Sequence, residues 1–482
     1  MNQTPWHKSP LFWMVFTFSC WSVFFGLGSL PVRLWDESRQ AINSLEMMQS
    51  GNWLYTTFNG QPDFYNTKPP LLIWLQGISA QLFGFSAWSL RLPSAIAGLL
   101  TGLLVFVFVH RETRNQWAAA LASISLMAAP GWIDEHVVRT GDYDALLCLW
   151  LSASWMSFYR FEQTGRLQSA LSFVAFTFLA LFTKSTAGLM LLPGLFVWGL
   201  ARGSLKKLLQ LPSVWWTATG FMVLLATWYI AHEYHTPGYL KTVWENEVRA
   251  RFLEPSEGHH GPWYFYLQQL AFTDFPWWPV SLVGFAVCLW LLRSRSAAFA
   301  AFQASAFLSL LSLSATKIEW YAAPALPLLA AGSGLLLAPA HSQTKRLIIF
   351  AACMAAIGTM YSQTTLKRLL DPIELRAPGP EDELSLYLLG KHRELRPDTN
   401  HQIIRTDYNP TLMLYTRWPG MRIPMRTQDW KQLDSGSSYI AWHAHHLDSI
   451  RHWFDCRIIR QSGHLHLLEI KGVKSMRTQK TK

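Results

Sequence analysis

Charge is scarce in this chain. Only 15% of its 482 residues are Asp, Glu, Lys or Arg, while half are hydrophobic; soluble domains carry about 25% charged residues. An ordinary water-soluble fold is therefore not the expectation. Cysteine is scarce too: Cys20, Cys148, Cys288, Cys353 and Cys456 show no C-x-x-C spacing, and four of them lie in apolar runs, where cysteine acts as a small hydrophobe. Neither a disulfide framework nor a structural zinc site is implied. No repeat of fixed period occurs, which argues against a solenoid. The net charge of +11 does not point to nucleic acid, because much of the Lys and Arg falls in short loops between apolar runs, where membrane topology accounts for it.

What is abundant is long apolar sequence. Leu11–Gly28 is long for a signal peptide, has no small-x-small site before Pro31 and is followed by further apolar runs, so it reads as a first membrane helix. With Lys8 on the cytoplasmic side, apolar segments near 10–30, 88–109, 117–131, 144–160, 168–184, 186–201, 213–232, 275–292, 297–314, 321–339 and 346–363 give about eleven crossings, with thirteen as the upper count. Arg111, Arg114, Arg160, Arg166, Arg202, Lys206, Lys207, Arg293, Arg295, Lys345 and Arg346 then all fall in cytoplasmic loops, as the positive-inside rule requires. Counting the short Leu71–Phe85 run as a span would reverse that pattern, so it is expected to be an interfacial helix. The fold class expected is a mainly α, polytopic helical bundle over residues 1–363, with outer loops at 31–87, 132–144 and 233–274. From about Thr364 polar residues become frequent. A helix over Glu381–Leu395 and strands at His401–Arg405, Ser438–Trp442, Arg457–Arg460 and His464–Ile470 predict a small α/β domain, 364–482, on the outer side.

This topology brings four polar segments to one outer surface: Arg33–Pro70, Trp132–Asp144, Glu233–Asp274 and Thr316–Tyr321. Asp36 and Glu37 open a stretch whose apolar spacing suits an amphipathic helix lying on the membrane. Asp36 reads either as a helix cap or as a carboxylate held for chemistry. Lys68, just before the Leu71 run, either snorkels to lipid head groups or holds one phosphate. Asp142 and Asp144 precede an apolar helix, where ionisable groups are costly unless used or paired; Arg139 is the nearest partner in sequence. Lys184 and Lys317 sit in short turns, as local ion pairs or as part of a cationic site for an anion. Arg251 lies in the large outer loop. His259 and His260 diverge in any extended segment, and a metal role for them needs carboxylates from elsewhere.

In combination and in this order, Asp36-Glu37-x-Arg39, Lys68-Pro69-Pro70, the Gly84-to-Arg91-x-Pro93 stretch, Asp144 opening an apolar helix, Thr183-Lys184, His259-x-x-Pro262-Trp263-Tyr264-x-Tyr266 and Lys317-x-x-x-Tyr321-x-x-Pro324 resemble the bacterial GT-C glycosyltransferases related to protein O-mannosyltransferases, including the lipid A aminoarabinose transferases. The resemblance covers roughly residues 10–340. It implies a GT-C fold in the bacterial inner membrane with a periplasmic active site. The donor it implies is a sugar, hexosyl or pentosyl, on undecaprenyl phosphate, transferred with inversion to a lipid A, glycan, other lipid or protein hydroxyl. Asp36 matches the family's essential carboxylate, the general base, and Asp144 a second acidic position that orients the acceptor or stabilises positive charge on the sugar ring. Lys68 and Tyr321 match contacts to the lipid phosphate, with Lys184, Lys317, Arg251, His259, Asp142 and Glu37 as further substrate-binding candidates. Where aminoarabinose transferases carry Glu before the lysine this chain has Thr67, which departs from a metal site built on that Glu. A divalent metal elsewhere stays open, and no cofactor beyond the lipid-linked donor is implied. The competing reading is a transporter or flippase of lipid-linked sugar. It predicts charge along a mid-membrane path, whereas the polar residues here gather at one face.

Overall fold

The computed structural model describes residues 6–33, 36–133, 136–253, 259–340, 342–370, 380–392, 394–396, 398, 401–405, 409–419, 426–429, 431–442 and 444–474. The first elements are α1 (Pro10–Phe24), α2 (Asp36–Ser50), a short hairpin of β1 (Thr57–Phe58) and β2 (Gln61–Pro62), α3 (Leu71–Phe83), α4 (Ala87–Thr113), α5 (Gln116–Met127), α6 (Pro130–Ile133), α7 (Asp144–Thr164) and α8 (Leu167–Lys184). Local chemistry sets their ends. The Ser86 hydroxyl accepts from the Ser89 backbone N–H, and the Ser89 hydroxyl returns a bond to Ser86, which starts α4. Asn115 caps α5 by accepting from the Trp117 and Ala118 amides. Gly165, at φ +64°, closes α7 in the left-handed conformation.

Among the described residues, five helical segments are long and apolar enough to cross a membrane: Ala87–Thr113, Leu167–Leu189, Pro212–His235, Arg295–Leu313 and Gln343–Leu366. The pair Phe265–Asp274 and Trp278–Leu291, bent by 109°, makes a sixth if it acts as one broken span. The other expected crossings coincide with helices that are shorter or less apolar, among them α1, α5 and α7. Pro212–His235 and Gln343–Leu366 are only 17% buried, leaving Trp215, Trp216, Met222 and Ile348 exposed. Apolar faces of that extent are stable against lipid, not water, and the chain is a multi-pass membrane protein. The interior is close-packed through small residues: a Cβ on Gly284 would lie 2.0 Å from the Gly332 carbonyl oxygen, and one on Gly334 2.4 Å from that of Ala118. The fully buried Leu326–Leu335 helix thus sits flush against both Trp278–Leu291 and α5. At the far end of α7 from Asp144, Arg202 and Arg295 lie 3.4 and 3.3 Å from Glu162.

The C-terminal region forms a five-stranded sheet in the order β4 (Arg426–Asp429), β3 (His401–Arg405), β5 (Ser438–Ala441), β7 (Leu465–Val473), β6 (Phe454–Ser462). β3 runs parallel to β4 and β5, and β7 antiparallel to β5 and β6. The expected helix is shorter, Pro380–Leu388, with Gly390 at φ +67° after it. Helices Pro410–Thr416 and Ala444–Trp453 and the strand β4 are short, at most ten residues each, and lie outside the expected elements. This domain packs directly on α2: Leu384, Tyr387, Leu412, Leu414 and Tyr415 share an apolar cluster with Ala41, Ile42 and Leu45. The Val32 amide donates to the Tyr415 hydroxyl at 2.7 Å.

That packing corrects one expectation. α2 does not lie on a membrane surface: every residue from Glu37 to Met47 is buried. Several of its polar side chains find partners inside the protein, Arg39 in Asp63 (2.6 Å), Asn43 in the Thr57 carbonyl (2.7 Å) and Asp63 (2.9 Å), and Glu46 in Arg417. A helix with partners on both faces has no need of a lipid interface.

Candidate functional site

Contacts join all four polar segments. Gln40 Nε2 donates to Asp142 Oδ1 (3.0 Å), tying the first segment to the second, and Thr67 Oγ1 donates to Glu247 Oε1 (3.0 Å), tying it to the third. The Lys317 amide donates to the His259 carbonyl (3.0 Å), and the His136 ring stacks on Trp320 with centroids 3.5 Å apart. At this junction opens a cavity. Its polar lining includes Lys68, Asp144, Lys184, Thr186, Glu247 and Tyr321, and its apolar wall includes Leu147, Met190, Phe307 and Leu311. A lining that combines ammonium and carboxylate groups with apolar side chains suits an amphiphile with an anionic head and a hydrocarbon tail.

Lys184 ends α8, and the chain reverses there because Ser185 takes φ +44°. Its ammonium donates to both oxygens of Asp144, at 2.6 and 2.7 Å, and lies 5.0 Å from the Tyr321 ring centre. Asp144, in the first turn of α7, also meets the positive end of that helix. Lys68 is half-buried, 3.7 Å from Glu247 and 5.5 Å from the Tyr143 ring centre. That separation from Glu247 is an ion pair without a close hydrogen bond. Two ammonium groups therefore face one cavity, each beside a carboxylate.

Two residues before Asp144, Asp142 gathers with Asp36 and His136, one oxygen or ring nitrogen of each lying within 4.8 Å of the others. Asp36 is half-exposed at the start of α2, and Asp142 is 3% exposed. Burial works against charge on Asp142, yet His136 beside it outweighs burial and holds the carboxyl below its ordinary value. Burial likewise opposes protonation of His136, and Asp142, then Asp36, override it and raise its pKa.

Several expected site residues are engaged elsewhere. Glu37 is buried in an ion pair with Arg91 (2.6 and 2.9 Å) and also accepts from the Arg33 amide (2.7 Å) and the Gly141 amide (2.8 Å). It fixes the loop that carries Asp142, so its expected contact with substrate is replaced by a structural one. Arg139 does not pair with Asp142 or Asp144; it donates to the Ser22 and Val23 carbonyls at 3.1 and 3.0 Å, capping the end of α1. Lys317 is not part of the cavity lining; its ammonium donates to the Ser312 and Ser314 carbonyls at 2.7 and 2.5 Å, at the end of the Arg295–Leu313 helix. His259 is exposed and does not line the cavity, and the Arg251 side chain lies outside the described residues. Glu247 and His136 were not singled out by sequence. Each stands inside a polar loop whose spacing says nothing of where its side chain arrives, although the two loops themselves were marked.

The fold is that of the GT-C type integral-membrane glycosyltransferases. Residues 67–230, about a third of the chain, match the family described as dolichyl-phosphate-mannose-protein mannosyltransferase. Among particular proteins, the structure of ArnT from Cupriavidus metallidurans bound to undecaprenyl phosphate superposes with a TM-score of 0.74 at 18% identity, over 95% of this chain and 98% of that one. The undecaprenyl phosphate-alpha-4-amino-4-deoxy-L-arabinose arabinosyl transferase of Aeromonas hydrophila is 30% identical over 296 residues, 58% of this chain and 49% of its own length. The putative mannosyltransferase YkcB of Bacillus subtilis is 33% identical over 165 residues, 33% of this chain and 22% of its own. The chain thus spans about half or less of the length of these two curated relatives.

Proposed function

We propose that this protein is a glycosyltransferase that takes a sugar from a polyprenyl-phosphate donor, undecaprenyl phosphate in a bacterium, and passes it to a hydroxyl acceptor on the periplasmic side of the inner membrane. The observation that carries the reading is the cavity lined by Lys68, Lys184, Tyr321, Asp144 and apolar side chains, with Asp36 grouped with Asp142, two residues before Asp144. The likeness to ArnT bound to undecaprenyl phosphate supports the same choice of donor.

In this mechanism the lipid's phosphate is held by Lys68 and Lys184, and the hydrocarbon runs along Leu147, Met190, Phe307 and Leu311. Asp36 accepts the proton of the acceptor hydroxyl as its oxygen attacks the anomeric carbon from the face opposite the phosphate. The C–O bond to phosphate breaks, and polyprenyl phosphate leaves as a monoester anion with the configuration inverted. Such a leaving group needs cationic stabilisation more than protonation, and that is what two lysines supply. Asp144, held by Lys184, is placed to orient the sugar or the acceptor.

The test supplies purified protein with labelled pentosyl and hexosyl undecaprenyl phosphates and an extract of envelope lipids and glycans. Label entering an acceptor in step with release of undecaprenyl phosphate is the expected result. Donor that stays intact while crossing the bilayer would establish a transporter instead.

A further inference from the structure

Glu247 stands in the cavity wall although it comes from the large outer loop, and it is only 4% exposed. The loop is wound there as a π-helix, Glu245–Leu253, a form that is rare and gathers at functional sites. Two bonds to backbone hold this turn in place: Thr186 Oγ1 donates to the Glu247 carbonyl at 3.0 Å and Asn246 Nδ2 to the Phe64 carbonyl at 3.3 Å. The Glu247 carboxylate takes the Thr67 hydroxyl at 3.0 Å, while Lys68 stays 3.7 Å away, beyond hydrogen-bond length. A carboxylate placed solely to neutralise Lys68 would sit at about 2.7–2.9 Å.

The charges on the described lining balance: two ammonium groups, Lys68 and Lys184, and two carboxylates, Asp144 and Glu247. Lys184 gives two of its N–H bonds to Asp144, which leaves it one. With a lipid phosphodiester seated on that N–H and on Lys68, no cation among the described lining residues remains for a second anion. A sugar hydroxyl or ammonium meets two acceptors there. A sugar carboxylate meets two like charges in a partly apolar cavity, where repulsion is weakly screened and unpaired charge is a means of rejection.

From this placement we infer that Glu247 binds the sugar ring of the donor and restricts the donor to sugars without a carboxylate: neutral and cationic sugars enter, and uronic acids are refused. Seating of the phosphate draws Lys68 from Glu247 and gives the carboxylate to the sugar's hydroxyls, an exchange of partners that leaves neither buried charge unpaired. The Thr67 hydroxyl keeps the carboxylate oriented through the exchange. The inference rests on the transferase reading and deepens it by naming the class of sugar.

Competition for labelled undecaprenyl phosphate on the full-length protein in detergent reads this preference without requiring transfer. The competitors are two matched pairs of undecaprenyl-phosphate sugars, glucosyl with glucuronosyl and galactosyl with galacturonosyl, each pair differing only in an exocyclic CH₂OH or carboxylate. In each pair the neutral member is expected to displace the label at about tenfold or more lower concentration, the lower end for a hydrogen bond to a charged group. In Glu247→Gln the ratio is expected to fall towards one. A uronosyl donor that competes as well as its neutral partner in wild type overturns the inference, whether or not the variant folds. An unchanged ratio in a variant that still binds undecaprenyl phosphate overturns it as well. Either result leaves the transferase reading standing if label passes from a neutral donor to an acceptor, whereas protein that binds no undecaprenyl phosphate removes that reading and this inference with it.

Discussion

Lys184 Nζ sits 2.6 and 2.7 Å from the two oxygens of Asp144, bridging the end of α8 to the start of α7 on the wall of the cavity. Both side chains are nearly buried, at 10% and 5% exposure. Removing one member leaves an uncompensated charge, which costs about 3–5 kcal/mol at buried sites. Lys184→Met should lower the melting temperature in detergent markedly. Lys184→Met with Asp144→Leu should recover part of the loss, with a coupling of about 0.5–3 kcal/mol. Strict additivity would mean the pair is not coupled.

Glu37 and Arg91 form another buried pair, and its effect depends on pH. Burial alone would raise the Glu37 pKa, but the Arg91 charge and hydrogen bonds outweigh it and hold the folded value below the ordinary 4.5. A depressed folded pKa contributes stability that is present above the unfolded value and is lost as pH falls through the folded one. The melting temperature should therefore drop more steeply below about pH 4.5 in wild type than in Glu37→Gln, which is less stable at neutral pH and lacks this titration. Parallel acid profiles would contradict the assignment.

Lys68 faces the cavity with only a 3.7 Å pairing to Glu247, which leaves its ammonium available to an anion. A hydrogen bond to a charged group contributes about 1.5–3 kcal/mol, so Lys68→Gln should raise the donor KM roughly 10- to 150-fold. The readout is steady-state kinetics at varied donor concentration. An unchanged KM would move the phosphate elsewhere.

The C-terminal domain is tied to α2 by contacts of unequal worth. Tyr415→Phe removes the acceptor of the buried Val32 amide and should cost about 1–3 kcal/mol. Arg417→Ala breaks an ion pair in which Arg417 is 38% exposed and should cost under about 1 kcal/mol. Thermal unfolding and limited proteolysis of the C-terminal region would rank the two. Because α2 opens with Asp36, Tyr415→Phe is also expected to reduce transfer.

Much of the bundle was legible because apolar runs of span length and the placement of Lys and Arg are one-dimensional signals: α4, α8 and Pro212–His235 follow directly from them. Strands β3 and β5, most of β7 and the middle of β6 were legible as short Ile-, Tyr- and Leu-rich runs. The burial of α2 was not, since its amphipathic spacing looks the same whether its apolar face meets lipid or Leu384, Leu412 and Tyr415. Charge pairing was the least readable feature. Arg139 is close to Asp142 in sequence but reaches α1, whereas Lys184, 40 residues from Asp144, is the partner. Glu247 and His136 join the site through loop geometry, which hydropathy and spacing do not encode.

The central claim is that Asp36 takes the proton from the acceptor hydroxyl. The most direct measurement is single-turnover transfer of labelled sugar from a polyprenyl-phosphate donor by wild type and by Asp36→Asn of equal melting temperature and equal donor binding. The account predicts a fall of about 10²- to 10⁴-fold in the transfer rate, the range for loss of a general base, with donor affinity unchanged. A variant that transfers at the wild-type rate would contradict it.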